Sequence, residues 1–239
     1  MHKIPRENGS LLSIPEVLRF GPKIEIKIFR RHLFMRKLLG ASLLVIITVF
    51  IQACAPGHNS QDSCGFIQNA YGERMSWKNE APVTMYLHES VPDEYVPALL
   101  SAVSTWEKSA GRKLFNIVTT PRVSGPNQTA HDGRSVIYFS DTWNASESSQ
   151  QAITSVLSIG DQIVEADMRI NATGRFQFYW KDEDPTKVNI EALFLHELGH
   201  VLGLKHREGD GSVMAANLKD GEDRIALGSV DNSDLKCEY

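Results

Sequence analysis

Four side chains of this chain, His196, Glu197, His200 and His206, are spaced to hold a metal ion and work with it. They fall in the run His196-Glu197-Leu198-Gly199-His200-Val201-Leu202-Gly203-Leu204-Lys205-His206. Residues four apart share one face of a helix, so His196 and His200 can offer two imidazoles to one ion. Glu197 sits next round the helix and can reach a water in the ion's open position. A third ligand one turn further on would point away unless the chain reversed. Gly203 can adopt a positive φ, end the helix and return His206 toward the ion. Three neutral imidazoles plus a water make a catalytic zinc site, whereas a structural site is closed by four protein ligands. The expectation is one Zn2+ on His196, His200 and His206, with Glu197 as the base.

The elements that must position these groups are legible at coarse grain. The zinc helix is predicted over 190–202, with Asn189 as its N-cap and Glu191 as a first-turn acid. Leu193, Phe194, Leu198, Val201 and Leu202 supply its buried side. Upstream, residues 82–89 alternate Val83, Met85 and Leu87 and predict a strand. Pro92 opens a second helix with a stripe of Val96, Leu99, Leu100, Val103 and Trp106, ended by Gly111. Residues 114–119 and 135–139 read as further strands. Residues 153–158 and 163–171 read as a pair of strands joined at Gly160-Asp161. A short last helix is expected from two stretches, 224–227 and 233–239. Together these predict an α/β (α+β) domain over 81–239, a twisted mixed sheet packed against two long helices.

The histidine run, with Met214 eight residues past His206, resembles the metzincin peptidases and among them a small bacterial matrixin. The likeness covers about residues 80–239 as a pattern and is specific over 189–214. It implies that Met214 lies beneath the three histidines without being a ligand. It also implies a zinc-dependent endopeptidase acting on protein or peptide substrates, with an antiparallel edge strand beside the cleft. Residues 165–171 are similar to that edge segment, which would hold an extended peptide by strand addition. The chain departs from the matrixin pattern in two ways. The histidines and aspartates of a second, structural zinc are missing, since only His131-Asp132 and the more distant His88 lie in that region. No structural zinc is therefore expected. A cysteine-bearing pro-segment is likewise not expected ahead of the domain. Asp182, Glu183 and Asp184 could hold Ca2+, but a solvated charge cluster is the preferred reading. Two rival functions are a peptide-binding protein without catalysis and an amidase for small amides. Glu197 counts against the first, and Gly203, His206 and Met214 against the second.

Met35-Arg36-Lys37 followed by thirteen largely apolar residues, 38–50, reads as a signal segment. It is short of the roughly 20 residues a membrane span needs. Ile51-Gln52-Ala53-Cys54 resembles a lipobox, which implies lipidation of Cys54 and anchoring of a bacterial outer-membrane lipoprotein, with an ordinary secretory signal and an incidental cysteine as the alternative. The organisation expected is a signal peptide over 35–53, a tether over 54–80 and the catalytic domain over 81–239. Residues 1–34 read as an extension ahead of a start at Met35, with an unusually long basic leader as the alternative. Removal of the first 53 residues leaves 186 with a formal charge of −10. That acidity argues against nucleic-acid binding, and a monomer is expected. Cys64 and Cys237 can pair in an oxidising compartment and pin the domain's ends. Two free thiols, or Cys64 folded back onto the zinc, are the alternatives.

Overall fold

The computed structural model describes residues 64–208 and 211–239. The expected extension over 1–34, the signal segment and Cys54 lie outside the described residues. Strand β1 (Val83–His88) turns Val83, Met85 and Leu87 inward, as period-2 alternation requires. Helix α1 (Val96–Ala110) follows a short 3-10 turn and stops at Gly111, whose φ of 67° is left-handed. Its buried face is Ala98, Leu99, Ala102, Val103 and Trp106. Leu100 is 45% exposed, contrary to the expected stripe. At 100° per residue the two alanines share the core side, and Leu100 turns out. Glu107 of this helix accepts the backbone N–H groups of Leu114 and Phe115, tying α1 to the next strand.

Strands β2 (Phe115–Val123), β3 (Ser135–Ser140), β4 (Ala152–Ile159) and β5 (Gln162–Asn171) complete a five-stranded sheet in the order β2-β1-β3-β5-β4. All neighbours run parallel except β4, which is antiparallel to β5 across the turn at Gly160 and Asp161. The edge strand is therefore β4 and not residues 165–171, a correction to the expectation. β5 bonds to β3 on one side and β4 on the other, so its backbone is committed. Its near-continuous burial, with Ile163, Ala166, Met168 and Ile170 fully covered, is that of an interior strand.

A two-stranded pair, β6 (Phe178–Tyr179) and β7 (Val188–Asn189), leads into α2 (Ile190–Val201). The last helix, α3, spans Ser229–Leu235, so it begins after the first of the two stretches expected to form it and overlaps the second. Helices α1 and α2 are pinned together where the Trp106 indole N–H donates to the Leu195 carbonyl at 2.8 Å. Among the described residues no helix is long and apolar enough to cross a membrane.

Residues 64–80 belong to the domain, which corrects the tether expected to run to residue 80. Phe66 and Trp77 are buried, and the Trp77 indole N–H donates to the Val201 carbonyl at 2.7 Å. Cys64 and Cys237 form a disulfide bridge, so neither thiol is free to turn toward the histidines. Around it, Glu238 accepts from Arg74 and Ser76, and the Tyr239 hydroxyl donates to the Leu202 carbonyl. Phe66 and Trp77 lie eleven residues apart in a mostly polar stretch and carry no period, which is why the segment reads as a linker in sequence.

Candidate metal centre

Helix α2 begins where Asn189 Oδ1 accepts the backbone N–H groups of Glu191 (2.9 Å) and Ala192 (3.2 Å). The Glu191 carboxylate then accepts from Ser101 Oγ and the Trp180 indole, which holds the first turn against α1 and the loop before it. The helix ends in a Schellman closure. Gly203 N–H donates to the His200 carbonyl and Leu204 N–H to the Gly199 carbonyl, both at 2.9 Å. Gly203 has φ 96°, and a β-carbon there would lie 2.4 Å from the Met75 carbonyl oxygen. Both the left-handed backbone and the close approach require glycine. Past that reversal, Ile67 N–H donates to the Gly203 carbonyl and Lys205 N–H to the Gly65 carbonyl. The amino-terminal segment thus flanks the turn that carries His206.

His196, His200 and His206 converge, with one nitrogen from each lying within 4.8 Å of the others. His200 Nε2 is 3.1 Å from both His196 Nε2 and His206 Nε2. Two nitrogens bound tetrahedrally to one zinc at about 2.0–2.1 Å lie a little over 3 Å apart, so the spacing fits that ion. The second ring nitrogens are already used. His196 Nδ1 lies 2.7 Å from the Val213 carbonyl, and His200 Nδ1 lies 2.7 Å from the Leu204 carbonyl. With a proton on each Nδ1, the Nε2 lone pairs are left for a metal. Burial, with the neighbouring His200 as a second cause, pushes His196 down to about 3. Burial likewise pushes His200 down to about 4. Both rings are therefore neutral at neutral pH, the form that ligates. The donor set fits zinc, and among the described residues it is the grouping of three or more ligating side chains that could share an ion.

Glu197 is buried, and burial pushes its carboxyl up to about 7 against the pull of a hydrogen bond from Thr154. Thr154 Oγ donates to Glu197 Oε2 at 2.6 Å. The Met214 side chain lies against Gly199 of the helix, where a β-carbon would meet its sulfur at 2.3 Å. The turn that carries it is held by Asp231 of α3, whose carboxylate accepts from Ser212 Oγ (2.6 Å), Val213 N–H (2.9 Å) and Gly228 N–H (2.8 Å). Because Val213 supplies the carbonyl facing His196, Asp231 supports the metal centre at one remove. Arg207 N–H, next to His206, donates to the Met214 carbonyl and ties the third histidine to the same turn.

A cleft of about 500 Å3 opens over these groups between β4 and the segment after Met214. Ile153, Thr154 and Val156 form one wall, Leu193 and Glu197 part of the floor, and residues 215–218 the other wall. Arg224 braces that second wall by donating to the carbonyls of Ser212, Ala215 and Asn217.

The other residues singled out in sequence lie away from this centre. His131 faces Glu165 at 3.4 Å, and His88 is bonded to Ser90 and the Gly125 carbonyl. Ca2+ finds no support, because Asp184 is engaged by Thr186 and Lys187. Thr154, Asp231 and Arg224 escaped sequence reasoning. Thr154 and Asp231 act across more than ten residues of chain and Arg224 across seven to twelve, and none carries a periodic or motif signal.

The model of the Matrixin peptidase family matches residues 126–239. That stretch holds β3 to β5, α2, the three histidines, Met214 and α3. No curated protein is significantly similar to the chain.

Proposed function

We propose, for a chain that is a matrixin-like zinc metalloendopeptidase, that Glu197 serves as general base in a cleft bordered by β4. The carrying observation is that Glu197 lines the same cleft as His196, His200 and His206. Zinc held by the three Nε2 atoms would acidify a water and polarise the scissile carbonyl. Glu197 takes the proton of the attacking water and hands it to the leaving amine nitrogen. Burial raises the carboxyl to about 7, and a bound cation would draw it lower, toward the ionised form that accepts the proton. Met214 stays beneath the ligands and takes no part in proton movement.

The outer backbone edge of β4 suits an extended peptide laid along it as an added strand. Leu193, Ala215, Ala216 and Leu218 supply an apolar part of the cleft's lining, which favours an apolar substrate side chain against them. We extend the proposal to location, with Cys54 lipidated and the enzyme tethered as a monomer to a bacterial outer membrane. The support is the sequence around Cys54. Mass analysis of the mature amino terminus tests this, and a first residue other than a lipid-modified Cys54 contradicts it.

The test of the activity is metal analysis joined to digestion of unfolded casein. The expected result is one zinc per chain, with cleavage lost to a chelator and restored by zinc. Zinc-loaded protein that cleaves no casein or peptide-library substrate overturns the reading.

A further inference from the structure

We propose that Thr154 is a positioning residue for the peptidase reaction, its hydroxyl fixing the Glu197 carboxylate so that one oxygen is presented to the cleft. The inference rests on the function proposed above and deepens it. Glu197 is 4% exposed, yet among the described residues its carboxylate has one hydrogen-bond donor, Thr154 Oγ at 2.6 Å. That length is typical of a hydroxyl on an ionised carboxylate. The Thr154 hydroxyl also lies 3.5 Å from the Glu197 backbone carbonyl, but its single proton goes to the much closer Oε2. Oε1 is thereby the oxygen left for a water. Without the hydroxyl the carboxylate would be free to rotate, and its two oxygens would exchange places.

Thr154 is well placed to hold that geometry. It sits on β4 opposite Met168 of β5, and Met168 is fully buried. The backbone around it is fixed by the antiparallel ladder, and its branched side chain restricts χ1. The residue also lies on the strand that borders the cleft, within the lining that includes Ile153 and Val156. A peptide laid along β4 is thus registered against the strand that holds the base. The positions of scissile bond and proton acceptor are set by one element, which is what a near-attack geometry needs.

The test is a comparison of Thr154→Val, Thr154→Ala and Thr154→Ser with wild type, each loaded with zinc and assayed on one peptide. Valine keeps the branching and suits a strand while removing the hydroxyl. Valine and alanine are expected to lower kcat about 10- to 100-fold, the range for losing a hydrogen bond to a charged group. KM should stay within about twofold, since the hydroxyl acts on the base and not on bound peptide. Zinc content should stay at one per chain, and serine should restore most of kcat. Valine and alanine variants with wild-type kcat, a rise in KM alone, or no rescue by serine each overturn the inference while leaving the peptidase reading intact. Zinc-loaded wild type without cleavage overturns both. Should valine fail to fold, alanine and serine carry the comparison.

Discussion

Met214 lies so close to Gly199 that a β-carbon on Gly199 would sit 2.3 Å from the methionine sulfur. The same β-carbon would meet a ring carbon of Trp106 at 3.0 Å. Gly199 is one residue before His200, so the space it leaves lets the methionine turn and α1 approach the metal helix together. The spacing of His196 and His200 fixes which helix face meets the ion, and Gly199 fixes how near the support beneath it can come.

Gly199→Ala is therefore expected to destabilise the protein although alanine favours helix. Overpacking of a filled site costs about 1–3 kcal/mol, against the ~1 kcal/mol gained in helix propensity. The shift should be larger in zinc affinity than in far-UV helix content, because Met214 and the Val213 carbonyl move as one turn. Denaturant melts with and without zinc check this. A more stable Gly199→Ala protein contradicts the packing described.

Asp231 gives a second route to the same turn. Its carboxylate is buried and receives three donors. Asp231→Ala leaves those donors without a partner and is expected to cost about 2–4 kcal/mol. Zinc binding, followed by competition with a chelator, should weaken at the same time, since the Val213 carbonyl orients His196. Unchanged zinc affinity in a folded variant would show that the turn does not support the ligand.

Much of the fold and of the metal centre is readable in the chain, because both rest on short-range regularities. The zinc helix follows from its N-cap Asn189, its apolar run and Gly203. β1, β3 and the β4–β5 pair follow from alternation and turn residues. The failures share a physical cause. Whether β4 or β5 lies at the edge is decided by which strand β3 recruits, a pairing across some thirty residues that local pattern does not encode. The membership of residues 64–80 depends on Phe66 and Trp77 finding cover on α2 and the turn after it. Thr154, Asp231 and Arg224 are ordinary polar residues in sequence, and they gain roles only through contacts made after folding.

The disulfide links the segment at Cys64 and the one at Cys237 to the metal turn. Residues 65–67 bond to Gly203 and Lys205, and Cys64 anchors that segment to Cys237. Replacing both cysteines by serine is expected to cost about 2–5 kcal/mol. Zinc release should also speed up, because the turn before His206 loses a fixed neighbour. Melting temperature and chelator-driven release rate measure the two effects. A stability loss with no change in zinc release would confine the bridge to a global role.

Asp167 gives a pH dependence of defined sign. It accepts Val136 N–H at 2.9 Å and Ala130 N–H at 3.1 Å, which holds the loop before β3. Burial nonetheless pushes its carboxyl up to about 6, against the pull of those two bonds and with the Glu165 charge adding to the rise. Between the ordinary carboxylate value and about 6, the folded protein keeps a proton that the unfolded chain has lost. This group's contribution is fully present below the unfolded value and is lost as pH rises through the folded one. Relative to Asp167→Asn, the wild type should lose on the order of 1–2 kcal/mol across that window, allowing for partial screening. Denaturant titrations of both proteins at several pH values read this difference. A difference that stays flat or grows in the wild type's favour contradicts it.

The most direct measurement is the zinc content and peptidase rate of Glu197→Gln beside wild type. The variant is expected to bind one zinc per chain as wild type does, because the three Nε2 ligands are untouched. Its kcat should fall at least 10²- to 10⁴-fold, the range for removing a general base. Full cleavage by a zinc-loaded Glu197→Gln protein would contradict the assignment of Glu197 as the base.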